Sequence, residues 1–287
     1  MNRVSLPHTI KPNYNNLIIK VGKRSPYQPV KQDNFNNNNN NNNNNIKDVY
    51  STPNISYPMK SEYNTIIPLN IFQTWYTKNL PPQMNNAVNA IKVNNPAFTH
   101  YLYDDNDCRN FIKDNFSSKI LHAYDQLVPG AYKADLWRYC ILYKMGGIYL
   151  DIKYKPVAGF KFINLTEKEH WVLDADKNGI YNALLVSLPG NSVLWYAINQ
   201  IAENVKNKYY GRSSLEPTGP QLLAKYFSKN DKMKFDMYHS WFLNHTNRFI
   251  FFNNYAIFRQ YDGYNQECRN EGAPHYSHLW NIRSIYR

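Results

Sequence analysis

Apolar and polar residues alternate in short runs with aromatic punctuation from about residue 61 onward, and that rhythm sets out the elements. Leu69, Ile71 and Phe72, following Pro68, predict a short buried strand within residues 66–75. Pro81 and Pro82 then open a helix over about 84–93, which Asn94-Asn95-Pro96 ends. A second strand is expected at 98–103, with Asp104-Asp105 capping a helix over 108–114. A further helix near 118–125 precedes Pro129-Gly130, and the next helix runs from Ala131 to Lys144, where Gly146-Gly147 stop it. Ile148-Tyr149-Leu150 is then a strand. Later strands are expected at 171–173, 181–186 and 249–253, helices at 192–205 and 219–227, and a polar segment at the C-terminus. Strand alternating with helix predicts an α/β fold with a mostly parallel sheet, whose ligands bind beyond the carboxyl ends of the strands. Trp75 and Asp104 sit at such ends.

The first 60 residues lack this rhythm. They contain an unbroken run of asparagine from Asn36 to Asn45, with no apolar face to offset the entropy of ordering it, so residues 1–60 are expected to be a disordered basic tail. They also hold eight Lys and Arg against two Asp, which places half of the net charge of +12 outside the folded part. The charge favours anionic partners, yet the ordered part has no RNP-like, zinc-finger or helix-turn-helix pattern, so nucleic acid is not an expected partner. Three scattered cysteines give neither a disulfide framework nor metal-ligand spacing. Without a long apolar stretch or a secretory leader, the expectation is a soluble, cytoplasmic protein with one catalytic domain over 61–287. Four Asn-x-Ser/Thr sequons are no more than chance gives in so asparagine-rich a chain.

On the helix from Ala131, Asp135 and Arg138 are three apart and project together. Alone, such a pair is an ordinary surface ion pair worth about 0.2–0.5 kcal/mol. The double glycine and apolar strand that follow, ending at Asp151, change its meaning, because Asp151 falls where ligands bind. In extended backbone Asp151 and Lys153 point to one side, a carboxylate and an ammonium suited to a diphosphate.

The run Ala134-Asp135-Leu136-Trp137-Arg138-Tyr139, then Leu142-Tyr143, then Gly146-Gly147-Ile148-Tyr149-Leu150-Asp151, resembles glycosyltransferase family 32, the DXD sugar-binding transferases. It is also similar to the glucosyltransferase domain of the large clostridial toxins, and weaker likenesses at Ile67-Pro68 to Trp75, Asn95-Pro96, Tyr103-Asp104-Asp105 and Thr218-Gly219-Pro220 extend it over residues 66–285. The resemblance implies a GT-A type α/β fold with a Rossmann-like central sheet flanked by helices. It implies retaining transfer of a hexose or N-acetylhexosamine from a nucleotide-diphosphate sugar, a UDP-sugar on the toxin-like spacing, to a glycan or protein hydroxyl. Mn2+ or Mg2+ would bridge the diphosphate to the motif.

By the same resemblance Asp151 is the first motif aspartate, and Asp135 and Arg138 contact the transferred sugar. Tyr139, Gly147, Tyr149, Lys153 and Asn182 belong to the donor site, and Trp75 either stacks on the base or belongs to the core. His275, His278 and Trp280 lie where relatives fold a flexible end over the diphosphate, with the two histidines as further metal ligands. The chain departs from the pattern at Lys153, which replaces the second aspartate. Asp151 with C-terminal ligands holds the metal, or the ammonium takes part of its place, or the chain is an inactive relative. A second Asp-x-Asp, Asp174-Ala175-Asp176, reads as a turn before Lys177-Asn178-Gly179 and stands as a reserve metal site.

Overall fold

The computed structural model describes residues 17–20, 56–242, 247–270, 272 and 274–287. Their elements begin with β1 (Leu17–Lys20), β2 (Glu62–Thr65), β3 (Asn70–Thr74), α1 (Pro82–Asn94), β4 (Thr99–Tyr103), α2 (Asp105–Asn115) and α3 (Ser118–Gln126). Next come α4 (Gly130–Met145), β5 (Gly147–Leu150), β6 (Tyr154–Pro156), β7 (His170–Leu173), β8 (Ile180–Ser187) and α5 (Ser192–Lys206). The chain ends with α6 (Pro220–Ala224), α7 (Lys229–Lys232), β9 (Met237–Phe242), β10 (Asn247–Phe252), β11 (Tyr255–Gln260), α8 (Tyr264–Asn270) and α9 (Tyr276–Asn281). No helix among the described residues is long and apolar enough to cross a membrane.

The α/β class expected from the alternating pattern is present. One sheet has the order β4-β3-β5-β8-β7-β9-β10-β11-β6. Its first strands, β4, β3 and β5, are parallel, as is the pair β7 and β9, whereas β8 runs antiparallel to both neighbours and β9, β10, β11 and β6 form an antiparallel ribbon. Parallel pairing occurs where helices lie between the paired strands, in the strand-helix-strand segment before residue 150 and again between β7 and β9, which α5, α6 and α7 separate along the chain. Within the segment expected to be disordered, β1 pairs antiparallel with β2, Leu17 opposite Thr65. The rest of that expectation, residues 1–16 and 21–55 with the asparagine run, lies outside the described residues.

Helix starts follow local chemistry. Asp104 caps α2, its carboxylate accepting from the Asp107 amide at 2.9 Å while Asp107 accepts from the Asp104 amide at 3.2 Å. The pattern predicts no strand at β9, and the C-terminal segment it reads as polar supplies β11, α8 and α9, with Ile285 fully buried in the helical core. Trp280 donates its indole N–H to the Tyr210 carbonyl at 2.6 Å, so α9 is tied to the domain rather than free to swing. Aromatic residues on both faces of this ribbon, Phe251 on one and Phe252 on the other, hide its strand alternation from a pattern reading.

Core packing fixes α4. Nine of its side chains are buried, among them Asp135, Trp137, Arg138 and Tyr139, since the helix lies between the sheet and α2, α3 and α5. Strand β5 alternates across the two faces of the sheet, Tyr149 joining the α4 side and Ile148 and Leu150 the other. Gly146 and Gly147 join α4 to β5 at φ of 63° and 123°. A β-carbon on Gly147 would lie 2.8 Å from the Asn70 carbonyl oxygen, and one on Gly146 would lie 2.5 Å from the Pro189 ring. The strand can therefore lie beside β3 only with hydrogen at position 147. Gly147→Ala is expected to destabilise the fold by about 2–4 kcal/mol through backbone strain and overpacking, read as a fall in the urea midpoint with unchanged slope.

Candidate active site

The carboxyl end of β5 and the amino end of its antiparallel neighbour β8 open into a cleft of about 860 Å3. Asp135, Arg138, Asp151, Lys153 and Asn182 line it together, so five of the expected residues from three elements meet on one wall. Asp151 is placed by its amide, which donates to the Ala183 carbonyl at 2.7 Å as β5 leaves the sheet.

Asn182 is the hub of the wall. Its side-chain amide donates to Asp135 Oδ1 and to the Tyr139 hydroxyl, both at 2.8 Å, and its carbonyl accepts from Arg138 Nη1 at 2.7 Å. The other oxygen of Asp135 accepts from Thr218 Oγ1 at 2.7 Å. Burial pushes the Asp135 carboxyl above its ordinary pKa, against the opposing pull of Arg138 and Thr218. Arg138 also reaches Asp151 Oδ1 at 3.2 Å and lies 4.4 Å over the Tyr149 ring. Asp151 Oδ1 accepts the Tyr149 hydroxyl at 2.7 Å, and Oδ2 pairs with Lys153 Nζ at 2.6 Å. Burial alone would raise the Asp151 carboxyl, yet Lys153 and Arg138 outweigh it and hold it below the usual carboxylate range. Lys153 shows the reciprocal effect: burial lowers its pKa, but Asp151 more than restores it.

Other expected residues fall elsewhere. Tyr139 and Tyr149 are fully buried behind the wall and orient Asn182 and Asp151. Gly147 serves the strand contact described above. Trp75 is half-buried against Met84, Val88 and Tyr261, its indole N–H buried with no partner among the described residues. His275 reaches the rim but is exposed and caps α9, His278 is exposed, and Trp280 packs on the helical core.

The same cleft is lined by residues that pattern reading passed over: His239, Trp241 and Arg248 from β9 and β10. His239 donates from Nδ1 to Asp174 Oδ1 at 3.0 Å and stacks on Tyr181 with centroids 3.9 Å apart, while its Nε2 is buried without a partner among the described residues. Burial lowers its pKa although Asp174 pulls the other way, so the ring is neutral at pH 7. Asp174 itself lines the cleft, whereas Asp176 is spent on the Asn178 amide in the turn. Met237, His239 and Trp241 share one strand face, a period-two signal that was available in the sequence.

A divalent ion fits this donor set poorly. Both oxygens of Asp151 are engaged, one by an ammonium. A doubly charged ion placed 4 Å from that ammonium would meet repulsion of roughly 8 kcal/mol at an effective dielectric of about 20. Among the described residues no three His, Cys, Asp or Glu side chains converge on one ion, so the structure does not bring His275 and His278 together with Asp151 as a ligand set.

Residues 81–183 match the family described as "glycosyltransferase sugar-binding region containing DXD motif", a span that includes Asp135, Arg138, Asp151, Lys153 and Asn182. The match is confined to that part of the chain, and the chain's similar proteins are themselves named glycosyltransferases. Inositol phosphoceramide mannosyltransferase 3 of Schizosaccharomyces pombe is 28% identical over 181 residues, 62% of this chain and 48% of that protein. Initiation-specific alpha-1,6-mannosyltransferase of the same organism is 26% identical over 207 residues, covering 59% and 50%. An uncharacterized glycosyltransferase of Acanthamoeba polyphaga mimivirus is 38% identical over 90 residues, 30% of this chain and 36% of that one. The chain thus spans about half the length, or less, of the curated relatives it matches. Among solved structures, PaToxG Glycosyltransferase superposes with a TM-score of 0.45 at 17% identity, over 55% of this chain and 67% of that one.

The segment that carries Thr218 to Asp135 depends on Glu216, which is 3% exposed and accepts from the Arg212 amide at 2.7 Å and from Lys225 at 3.0 Å. Burial would raise its carboxyl, but these partners hold it down at about 2. A carboxyl depressed in the folded state stabilises above its unfolded value, and that contribution fades as pH falls from about 4.5 towards about 2. Glu216→Gln is therefore expected to lose about 1.5–3 kcal/mol at pH 7 and little near pH 2, seen as two melting-temperature curves that converge in acid.

Proposed function

We propose that the chain is a glycosyltransferase that moves a hexose or N-acetylhexosamine, with retention, from a nucleotide-diphosphate sugar to a hydroxyl of a glycan or protein. One observation carries this reading: Asp135, Arg138, Asp151 and Lys153 converge on a single cleft wall inside the matched sugar-binding region. The cleft is large enough for a nucleotide and a sugar, and its wall offers anionic acceptors beside cationic donors.

In this mechanism Lys153 and the guanidinium of Arg138 face the diphosphate and take up the negative charge that grows on it as the bond from the anomeric carbon to the phosphate oxygen breaks. Asp135 accepts hydrogen bonds from hydroxyls of the transferred sugar, held in place by Asn182 and Thr218. The leaving phosphate oxygen takes the proton of the acceptor hydroxyl, whose oxygen bonds to the anomeric carbon on the same face. Both Asp135 oxygens already accept internal hydrogen bonds, which favours this course over attack by Asp135 itself. The toxin-like spacing points to UDP as the nucleotide, and the names of the yeast relatives point to mannose as a sugar and inositol phosphoceramide as an acceptor worth including.

Donor hydrolysis across UDP-glucose, UDP-galactose, UDP-N-acetylglucosamine and GDP-mannose tests the proposal, with the anomeric configuration of the product read by NMR. Turnover of one donor with retained configuration is expected. Asp135→Asn should lower that turnover about 10²–10³-fold at unchanged nucleotide affinity. Binding of free sugars alone, with neither turnover nor nucleotide binding, would leave a carbohydrate-binding module in its place.

A further inference from the structure

We infer that Lys153, with Arg248 from β10 on the same cleft, holds the donor diphosphate by fixed charge, so that this site binds its nucleotide without a divalent ion. The inference rests on the reading of the cleft as a nucleotide-sugar site. Lys153 stands where the motif's second aspartate is expected and pairs with the first at 2.6 Å, so the carboxylate that a cation would seek is already neutralised by the protein. Asp151 Oδ1 is taken by Tyr149 and Arg138, and no other cluster of three ligating side chains exists among the described residues.

Both cations are held by a ladder of rings on the cleft. Lys153 Nζ lies 5.5 Å from the centre of Tyr181, Tyr181 stacks on His239 at 3.9 Å, His239 lies 5.3 Å from Trp241, and the Arg248 guanidinium lies 4.3 Å over Trp241. No carboxylate among the described residues pairs with Arg248, and its place on β10 leaves the guanidinium facing the same opening as Lys153. Around the cleft, Arg138, Lys153, Arg248 and Arg269 stand against Asp135, Asp151 and Asp174, so an anion gains more by entering than a metal cation does. Arginine offers a planar fork for two phosphate oxygens and lysine a point charge, the same division of labour that phosphate sites use elsewhere.

Calorimetry of the full chain with UDP and with GDP, in EDTA and with added MnCl2, decides the matter. The better of the two nucleotides should bind with the same affinity, within about threefold, in both buffers. Arg248→Gln, a half-buried position whose replacement leaves the core intact, should weaken that binding about tenfold in EDTA. Lys153→Asp, which restores the second aspartate, should bind poorly in EDTA and recover at least about tenfold with Mn2+. If the unaltered chain loses its nucleotide in EDTA and regains it with Mn2+, a metal does this work and the inference is overturned. If neither nucleotide binds in either buffer, the nucleotide-sugar reading itself has failed.

Discussion

A largely buried charge network at the wall of the cleft constrains this protein more than any other contact. Asp135 and Arg138 are buried and Asp151 and Lys153 largely so, where an unpaired charge is costly. Each is answered: Asp135 by Asn182 and Thr218, Arg138 by the carbonyl of Asn182, and Asp151 by Tyr149 and Lys153. The network therefore dictates what surrounds it. Strand β8 must present Asn182, the segment before α6 must deliver Thr218, and Tyr139 must fill the space behind them, since loss of any one leaves a buried polar group unmet.

The joint between α4 and β5 sets the distance over which these charges meet. Arg138 precedes the helix end at Met145 by about 10 Å of helix rise, and Asp151 follows the start of β5 by about 13 Å of strand. With a reversal as tight as Gly146 and Gly147 allow, the helix returns antiparallel to the strand, and the two side chains come level at the same end of the sheet. Any longer connection would let the helix slide along the strand and part the guanidinium from the carboxylate. The glycines act on the chemistry through geometry alone.

This local logic explains how far the sequence could be read. Asp135, Arg138, Asp151 and Lys153 lie within one helix-turn-strand, so their spacing contains their convergence. The elements from β3 to β5, and the capping of α2 by Asp104, follow for the same reason. Arg248 and His239 reach the site only through the order of strands, with β9 and β10 placed beyond β7, and no local spacing encodes that order. The tethering of α9 was equally hidden, because Trp280 and Ile285 find their partners on distant segments and look like isolated apolar residues in a polar stretch. Trp75 remains in part a core residue, packed on α1.

Charge balance gives Lys153 its meaning. A motif with two aspartates, beside Asp135 and a single guanidinium, would place three carboxylates against one cation and leave two negative charges buried at the cleft. One divalent ion carries just that charge, which ties such a site to metal. With lysine in the second position the wall holds two carboxylates and two cations, and it is neutral as folded. The substitution therefore does more than delete a ligand, because it removes the electrostatic demand that a ligand set exists to meet. It also makes the positive charge permanent, so that Asp151 is kept ionised and oriented by the fold itself. An anion entering such a cleft meets a site already organised, and the cost of assembling it has been met in folding.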